Sequence, residues 1–168
     1  MVKALPHAAM VSCLRDGQRY RLIDTAGIRR RARIADAIEK YSVVQSLQAI
    51  AESDVAVVVL DAREGLTDQD LHLIGLVLEA GRALTIAVNK WDGMGTFERH
   101  AVQRELDRRL DFVTFVDRCP VSALHGSGIG ELLSSALAAY EAASRDLPTP
   151  LLNDVLARAV AQNAPPVV

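Results

Sequence analysis

Apolar residues fall along this chain in blocks whose spacing changes from segment to segment, and the changes mark the elements. "AAMVSCL" and "QRYRLID" flank Arg15, Asp16 and Gly17. An Asp-Gly pair between two apolar segments signals a tight reversal, because such a turn needs positive φ. The chain is therefore expected to open with an antiparallel hairpin. From Ile34 to about Glu52 the apolar positions Ile34, Ile38, Val43, Leu47 and Ile50 recur near helical spacing, with Glu39, Lys40 and Gln45 between them. That pattern predicts a surface helix.

"DVAVVVLDA", residues 54–62, is apolar without alternation, as a parallel strand covered on both faces should be. "ALTIAVN", residues 83–89, is a second such run. Between them Thr67 is placed to cap a helix whose first turn holds Asp68 and Asp70, where the helix dipole favours acids. A charged helix follows at about 98–110, then a short strand at about 117–122 and an alanine-rich helix at about 129–144. This alternation predicts an α/β fold with a doubly wound sheet. The two prolines of "RDLPTP", residues 145–150, cannot continue a helix. A last amphipathic segment, residues 151–162, is expected to be the first helix of a second domain.

Composition narrows the class. The 168 residues suffice for one domain and a little of another, with half of them hydrophobic and 24% charged. A net charge of -2 excludes a global attraction to nucleic acid or an anionic membrane, so any such contact must be local. Cys13 and Cys119 lie far apart without C-x-x-C spacing, which argues against a disulfide framework or a zinc site. The start "MVKALPHAAM" is broken by Pro6 and His7 and makes a poor signal peptide. No apolar run reaches the roughly 18 residues of a membrane span. A cytoplasmic protein with no membrane or DNA contact is expected. The histidines His7, His72, His100 and His125 are scattered, and no nucleophile and base stand together.

In open α/β sheets ligands bind at the carboxyl ends of the strands. Three motifs fall there. Asp24, Thr25, Ala26 and Gly27 (DTAG) end the second strand, Asn89, Lys90, Trp91 and Asp92 (NKWD) end the "ALTIAV" strand, and Ser122, Ala123 and Leu124 (SAL) end the last. A D-x-x-G at that position suits sensing of a terminal phosphate. N-K-x-D suits guanine, whose N1-H and 2-amino group are adjacent donors that one carboxylate accepts together. Asp92 is the candidate reader, Asn89 the loop tie, and the stem of Lys90 a cover for the ring or ribose. Ser122 would brace its loop, and the N-H of Ala123 would donate to guanine O6. Each motif alone also fits polar residues that cap turns at strand ends. Their order and shared position make the set specific.

"LIDTAGIRRR", "EKYSVVQSLQAI", "DAREGLTDQDL", "GRALTIAVNKWD", "QRELDRRLDF" and "SALHGSGIGEL" together resemble the second GTPase domain of the Der (EngA) family of bacterial ribosome-assembly factors. The tail "PTPLLNDVLARAVAQNAPPVV" resembles the start of that family's KH-like domain. The resemblance implies a three-layer, doubly wound sheet of the P-loop GTPase (Ras-like) type over residues 1–145, truncated at its N-terminus. Residues 146–168 would begin a truncated KH-like domain. It also implies GTP and GDP as ligands, Mg²⁺, GTP hydrolysis, and association with rRNA of the large ribosomal subunit during its biogenesis. By the same carry-over Asp24 would reach Mg²⁺ through a water, and the N-H of Gly27 would meet the γ-phosphate. Ile28 stands where many GTPases place a water-orienting glutamine. Arg29, Arg30, Arg31 and Arg33 would lie on a switch segment, as an rRNA or partner contact or as a solvated loop.

The chain departs from this pattern in containing no G-x-x-x-x-G-K-[ST]. The family's first strand, phosphate loop and switch threonine have no counterpart in "MVKALPH", so a fragment is expected, from internal initiation, a frameshift or a truncated gene. Charge-assisted hydrogen bonds of a phosphate loop are worth about 1.5–3 kcal/mol each. Micromolar binding totals only about 8 kcal/mol. The chain as written is therefore expected to be inactive in hydrolysis. The alternative is a non-catalytic module that contacts rRNA, the ribosome or a GTPase. The missing strand would sit between the DTAG strand and "DVAVVVL", leaving two apolar edges. The expected outcome is a marginal domain, direct pairing of those strands, or a borrowed strand.

Overall fold

The computed structural model describes residues 9–24 and 47–162. Strand β1 (Ala9–Arg15) and strand β2 (Gln18–Asp24) pair antiparallel, with Arg15 opposite Gln18 and Ala9 opposite Asp24. Asp16 and Gly17 between them take φ of 48° and 80°. Those angles are what the Asp-Gly reversal requires, and they set the register.

Strands β3 (Val55–Asp61), β4 (Ala83–Asn89) and β5 (Arg118–Pro120) form a parallel sheet in the order β3-β4-β5. Helix α1 (Asp68–Glu79) crosses from β3 to β4 and starts at Thr67 in a capping box. The Asp70 carboxylate accepts the Thr67 N-H at 2.9 Å, and the Asp70 N-H donates to the Thr67 hydroxyl at 3.3 Å. Reciprocal capping explains why a carboxylate can stand 3% exposed here. Helix α2 (Thr96–Arg109) begins two residues before the expected start, at the N-H of Gly95, which the Glu98 carboxylate accepts at 2.7 Å.

Strand β5 is shorter than the 117–122 expected. Its pairing nonetheless extends beyond it, through Ile86 N-H to Asp117 O at 3.0 Å and Val121 N-H to Val88 O at 2.9 Å. Helix α3 (Ile129–Ala143) matches expectation to a residue. Helix α4 (Thr149–Gln162) starts before Pro150 rather than after it. Proline is tolerated in a first turn, where its missing N-H would have had no partner.

Strand β4 is the centre. Leu84, Ile86 and Val88 face a core shared with Ile74 and Val77 of α1, Leu106 of α2 and Leu110 just after it. On the other face Ala87 packs with Cys119, Val121 and Leu132. The Thr85 and Ser135 hydroxyls lie 3.4 Å apart. Burial on both faces is why the strand reads as an unbroken apolar run. The result is an α/β layered fold with β4 at its centre.

One expected outcome does not occur. Among the described residues β2 pairs with β1 and β3 with β4, and β2 and β3 do not pair with each other. The edge of β3 accordingly leaves Val57 and Val59 exposed at 40% and 56%. Of the helix expected over residues 34–52, the described part is 47–52, which is helical with Ala49 and Ile50 buried.

Candidate nucleotide-base site

Three strand ends build the site. The side-chain carbonyl of Asn89, the last residue of β4, accepts the N-H of Lys90 at 2.8 Å and the N-H of Ala123 at 2.9 Å. A single amide thus ties the loop after β4 to the loop after β5. The Trp91 N-H donates to Val121 O at 3.2 Å and adds a second tie. Lys90 carries the chain into this turn with φ 67°, a left-handed conformation that a lysine adopts only under constraint.

The backbone N-H of Lys90 is fixed by Asn89, and its ammonium forms an ion pair with Asp61, the last residue of β3. Asp61 also accepts the Arg63 N-H at 3.0 Å. Burial pushes the Asp61 carboxyl up, but the hydrogen bond and charge of Lys90 and hydrogen bonds from the Arg63 and Glu64 backbone outweigh it and hold the group below the ordinary carboxylate value. Arg63 lies across the loop as well: a Cβ on Gly93 would overlap its guanidinium.

Asp92 sits in the short 3₁₀ turn Trp91–Gly93. Its carboxyl is held below the ordinary value, first by the Ser122 hydroxyl and further by the charges of His125 and Arg63. His125 Nε2 stands 3.4 Å from it. An ionised carboxylate is acceptor-only, the state needed to receive two N-H donors.

Ser122 is 1% exposed and organises its own loop. Its hydroxyl accepts the His125 N-H at 3.2 Å, its N-H donates to Ser127 O at 3.0 Å, and its carbonyl accepts the Gly126 N-H at 2.7 Å. Gly128 closes the loop at φ 76°, where any Cβ would overlap the Pro120 carbonyl.

The structure therefore brings Asn89, Lys90, Asp92, Ser122 and Ala123 together. Leu124 follows at 84% exposure, and Trp91 packs against the core while its ring centroid lies 5.8 Å from the Arg99 guanidinium. Asp24 ends β2 in the other sheet. Thr25, Ala26, Gly27 and Ile28, with Arg29, Arg30, Arg31 and Arg33, lie outside the described residues. Among the described residues no group of three or more His, Cys, Asp or Glu gathers to hold a metal. A lone carboxylate such as Asp24 would hold Mg²⁺ only together with the phosphates of a bound nucleotide.

Two members of the site were passed over in the sequence: Asp61 and His125. The available signal for Asp61 was its place at the carboxyl end of an apolar strand. His125 offered only its position just after SAL.

The family profile of the Elongation factor Tu GTP binding domain matches residues 7–142. The chain is 53% identical over 154 residues to GTPase Der of Marinobacter nauticus, covering 92% of this chain and 33% of that protein. It is 55% identical over 153 residues to GTPase Der of Halorhodospira halophila, covering 91% and 32%. The chain thus spans about a third of the length of these curated relatives. A solved structure of Era in complex with MgGDPNP and nucleotides 1506-1542 of 16S ribosomal RNA superimposes with TM-score 0.66 at 20% identity, over 79% of this chain and 44% of that one. Elongation factor SelB of Methanococcus maripaludis, solved with a GTP analogue, gives TM-score 0.65 at 18% identity over 84% and 29%. These two likenesses concern the fold. Among the described residues no helix is long and apolar enough to cross a membrane.

Proposed function

The chain belongs to the family of the Elongation factor Tu GTP binding domain, and from that premise we propose that it lies on the Der branch and is the guanine-recognising part of a ribosome-assembly GTPase. The observation that carries this reading is the double acceptance by Asn89, which locks the Lys90–Asp92 turn against Ser122 and Ala123. In that frame Asp92 accepts guanine N1-H and the 2-amino group, the Ala123 N-H donates to O6, and the stem of Lys90 covers the ring. Adenine offers an acceptor at N1 and a donor at its 6-position, so both contacts turn repulsive.

GTP or GDP would bind with Thr25, Ala26, Gly27 and Ile28 toward the phosphates, and with Mg²⁺ held through water by Asp24 and by phosphate oxygens. When bound, the ion neutralises phosphate charge. Arg29, Arg30, Arg31 and Arg33 supply a local positive segment for rRNA, in a chain whose net charge is -2. Helix α4 has no buried residue and exposes Leu151, Leu152, Val155 and Leu156, which suits a helix that joins a KH-like domain over residues 146–168. The GTPase part is residues 1–145, and a cytoplasmic location follows from a ribosomal partner.

The 168 residues contain no phosphate loop, so this chain alone is assigned recognition without turnover. Release of inorganic phosphate from GTP tests the assignment. Rates equal to a protein-free blank agree with it, and turnover that Asp92→Asn reduces would overturn it.

A further inference from the structure

The loop after β5 folds so tightly that one residue meets Asp92 by two routes. The backbone N-H of His125 donates to the Ser122 hydroxyl at 3.2 Å, and that hydroxyl, with its own proton still to give, donates to the Asp92 carboxylate. The imidazole closes the ring directly, with Nε2 of His125 3.4 Å from Oδ2 of Asp92. The Gly126 N-H on the Ser122 carbonyl at 2.7 Å and the Ser122–Ser127 bridge hold the loop in this shape. His125 is thus fixed by its backbone while its side chain stays 61% exposed, open to protons from solvent.

A carboxylate offers about four acceptor positions on its two oxygens. Ser122 and His125 engage the carboxylate from the protein side, and the base contacts proposed above need one position on each oxygen, for guanine N1-H and the 2-amino group. Rotation of the Asp92 carboxylate would turn both acceptors away from the base. The two protein donors resist that rotation.

The charges around Asp92 decide when the hold is strongest. Arg63 acts on it from the loop after β3 and His125 from the loop after β5, while Lys90, in the same turn, is paired with Asp61. Arginine and lysine side chains keep their charge through the neutral range, whereas a histidine changes charge between about pH 5 and 8. A base seated on Asp92 displaces water from the carboxylate, and an opposite charge beside it then counts for more. The occupied site therefore favours imidazolium over imidazole.

We propose that His125 is a positioning residue for base recognition, which aligns Asp92 through its ring and through Ser122 and tightens guanine binding as it takes up a proton. This rests on the assignment of Asp92 as the reader of guanine. His125 acts through Asp92 and need not touch the nucleotide.

Two NMR titrations of the whole chain test it. The first contains no nucleotide and follows the Asp92 carboxylate carbon from about pH 8 to about pH 5, where wild type should show a step in the histidine range that His125→Gln removes. The second adds GDP and reads affinity from the Ala123 amide at about pH 8 and about pH 6. The gain in affinity on acidification should be about threefold or more larger in wild type than in His125→Gln, the ionisation of the phosphates being common to both. In wild type near neutral pH, GDP should also move the His125 ring signals toward their imidazolium position, a readout that needs no variant. An Asp92 step that survives in His125→Gln, or equal pH dependence of GDP affinity in the two proteins, overturns the role of His125 and leaves Asp92 as the reader. GDP that leaves Ala123 unmoved at both pH values overturns the reader assignment and this proposal with it, and the nucleotide-free titration tells the two failures apart.

Discussion

The side-chain carbonyl of Asn89 accepts the Ala123 N-H at 2.9 Å while the same oxygen accepts the Lys90 N-H at 2.8 Å. One residue at the end of β4 thereby fixes the separation of the two loops that would hold a base. Asn89→Ala leaves both N-H groups without this acceptor. It should destabilise the chain by about 1–2 kcal/mol in urea unfolding and speed amide exchange at Ala123, with Asn89→Asp recovering most of both. Unchanged exchange at Ala123 would remove Asn89 from this role.

Asp92 reads the base through two acceptor contacts in the proposed site. Asp92→Asn turns one acceptor into a donor and should move preference from guanine toward xanthine nucleotides, because the 2-oxo group of xanthine needs a donor. Relative shifts induced by the two nucleotides in amide NMR spectra check this. Retained guanine preference in the variant would show that another group reads the base.

Asp61 links stability to pH. Its carboxyl is held below the ordinary carboxylate value in the folded chain, so the unfolded chain takes up the proton more readily. The stabilisation is present in full above the ordinary carboxylate range and disappears as pH falls through it and below. Asp61→Asn should cost about 1 kcal/mol near neutral pH, and the gap to wild type should close progressively as pH falls below the ordinary carboxylate range. A gap that widens on acidification would contradict the ion pair with Lys90.

Gly128 has φ 76°, and a Cβ there would overlap the Pro120 carbonyl. Gly128→Ala should destabilise by about 1–3 kcal/mol or more and loosen the Ser122–Ser127 bridge. Gly126→Ala shares the positive φ, at 72°, but meets nothing within 4 Å. Its cost should be the smaller of the two in the same unfolding assay, and the reverse order would deny the close contact at Gly128.

Much of this was legible in the sequence because the signals were local. Asp16-Gly17 announced the hairpin, Thr67 with Asp70 announced α1, and the unbroken apolar runs of β3 and β4 announced strands buried on both faces. NKWD and SAL were placed correctly at strand ends because their chemistry is written in consecutive residues. What was not legible depends on packing between distant segments. The ion pair of Asp61 with Lys90 spans β3 and β4, and the approach of His125 to Asp92 depends on how the β5 loop folds back on Ser122. The start of α4 at Thr149 was missed because proline was read as a barrier, although in a first turn it has no N-H to lose. The two open edges between β2 and β3 were expected, and among the described residues the strands stay unpaired rather than closing on each other.

In the proposed site the loops after β4 and β5 recognise guanine. Amide NMR spectra of the whole chain, titrated with GDP, ADP and XDP at millimolar concentration, test it most directly. GDP alone should perturb Asp92, Ala123 and His125, with an affinity weaker than micromolar because no phosphate loop is present. Equal perturbation by ADP, or none by GDP at these three residues, would contradict it.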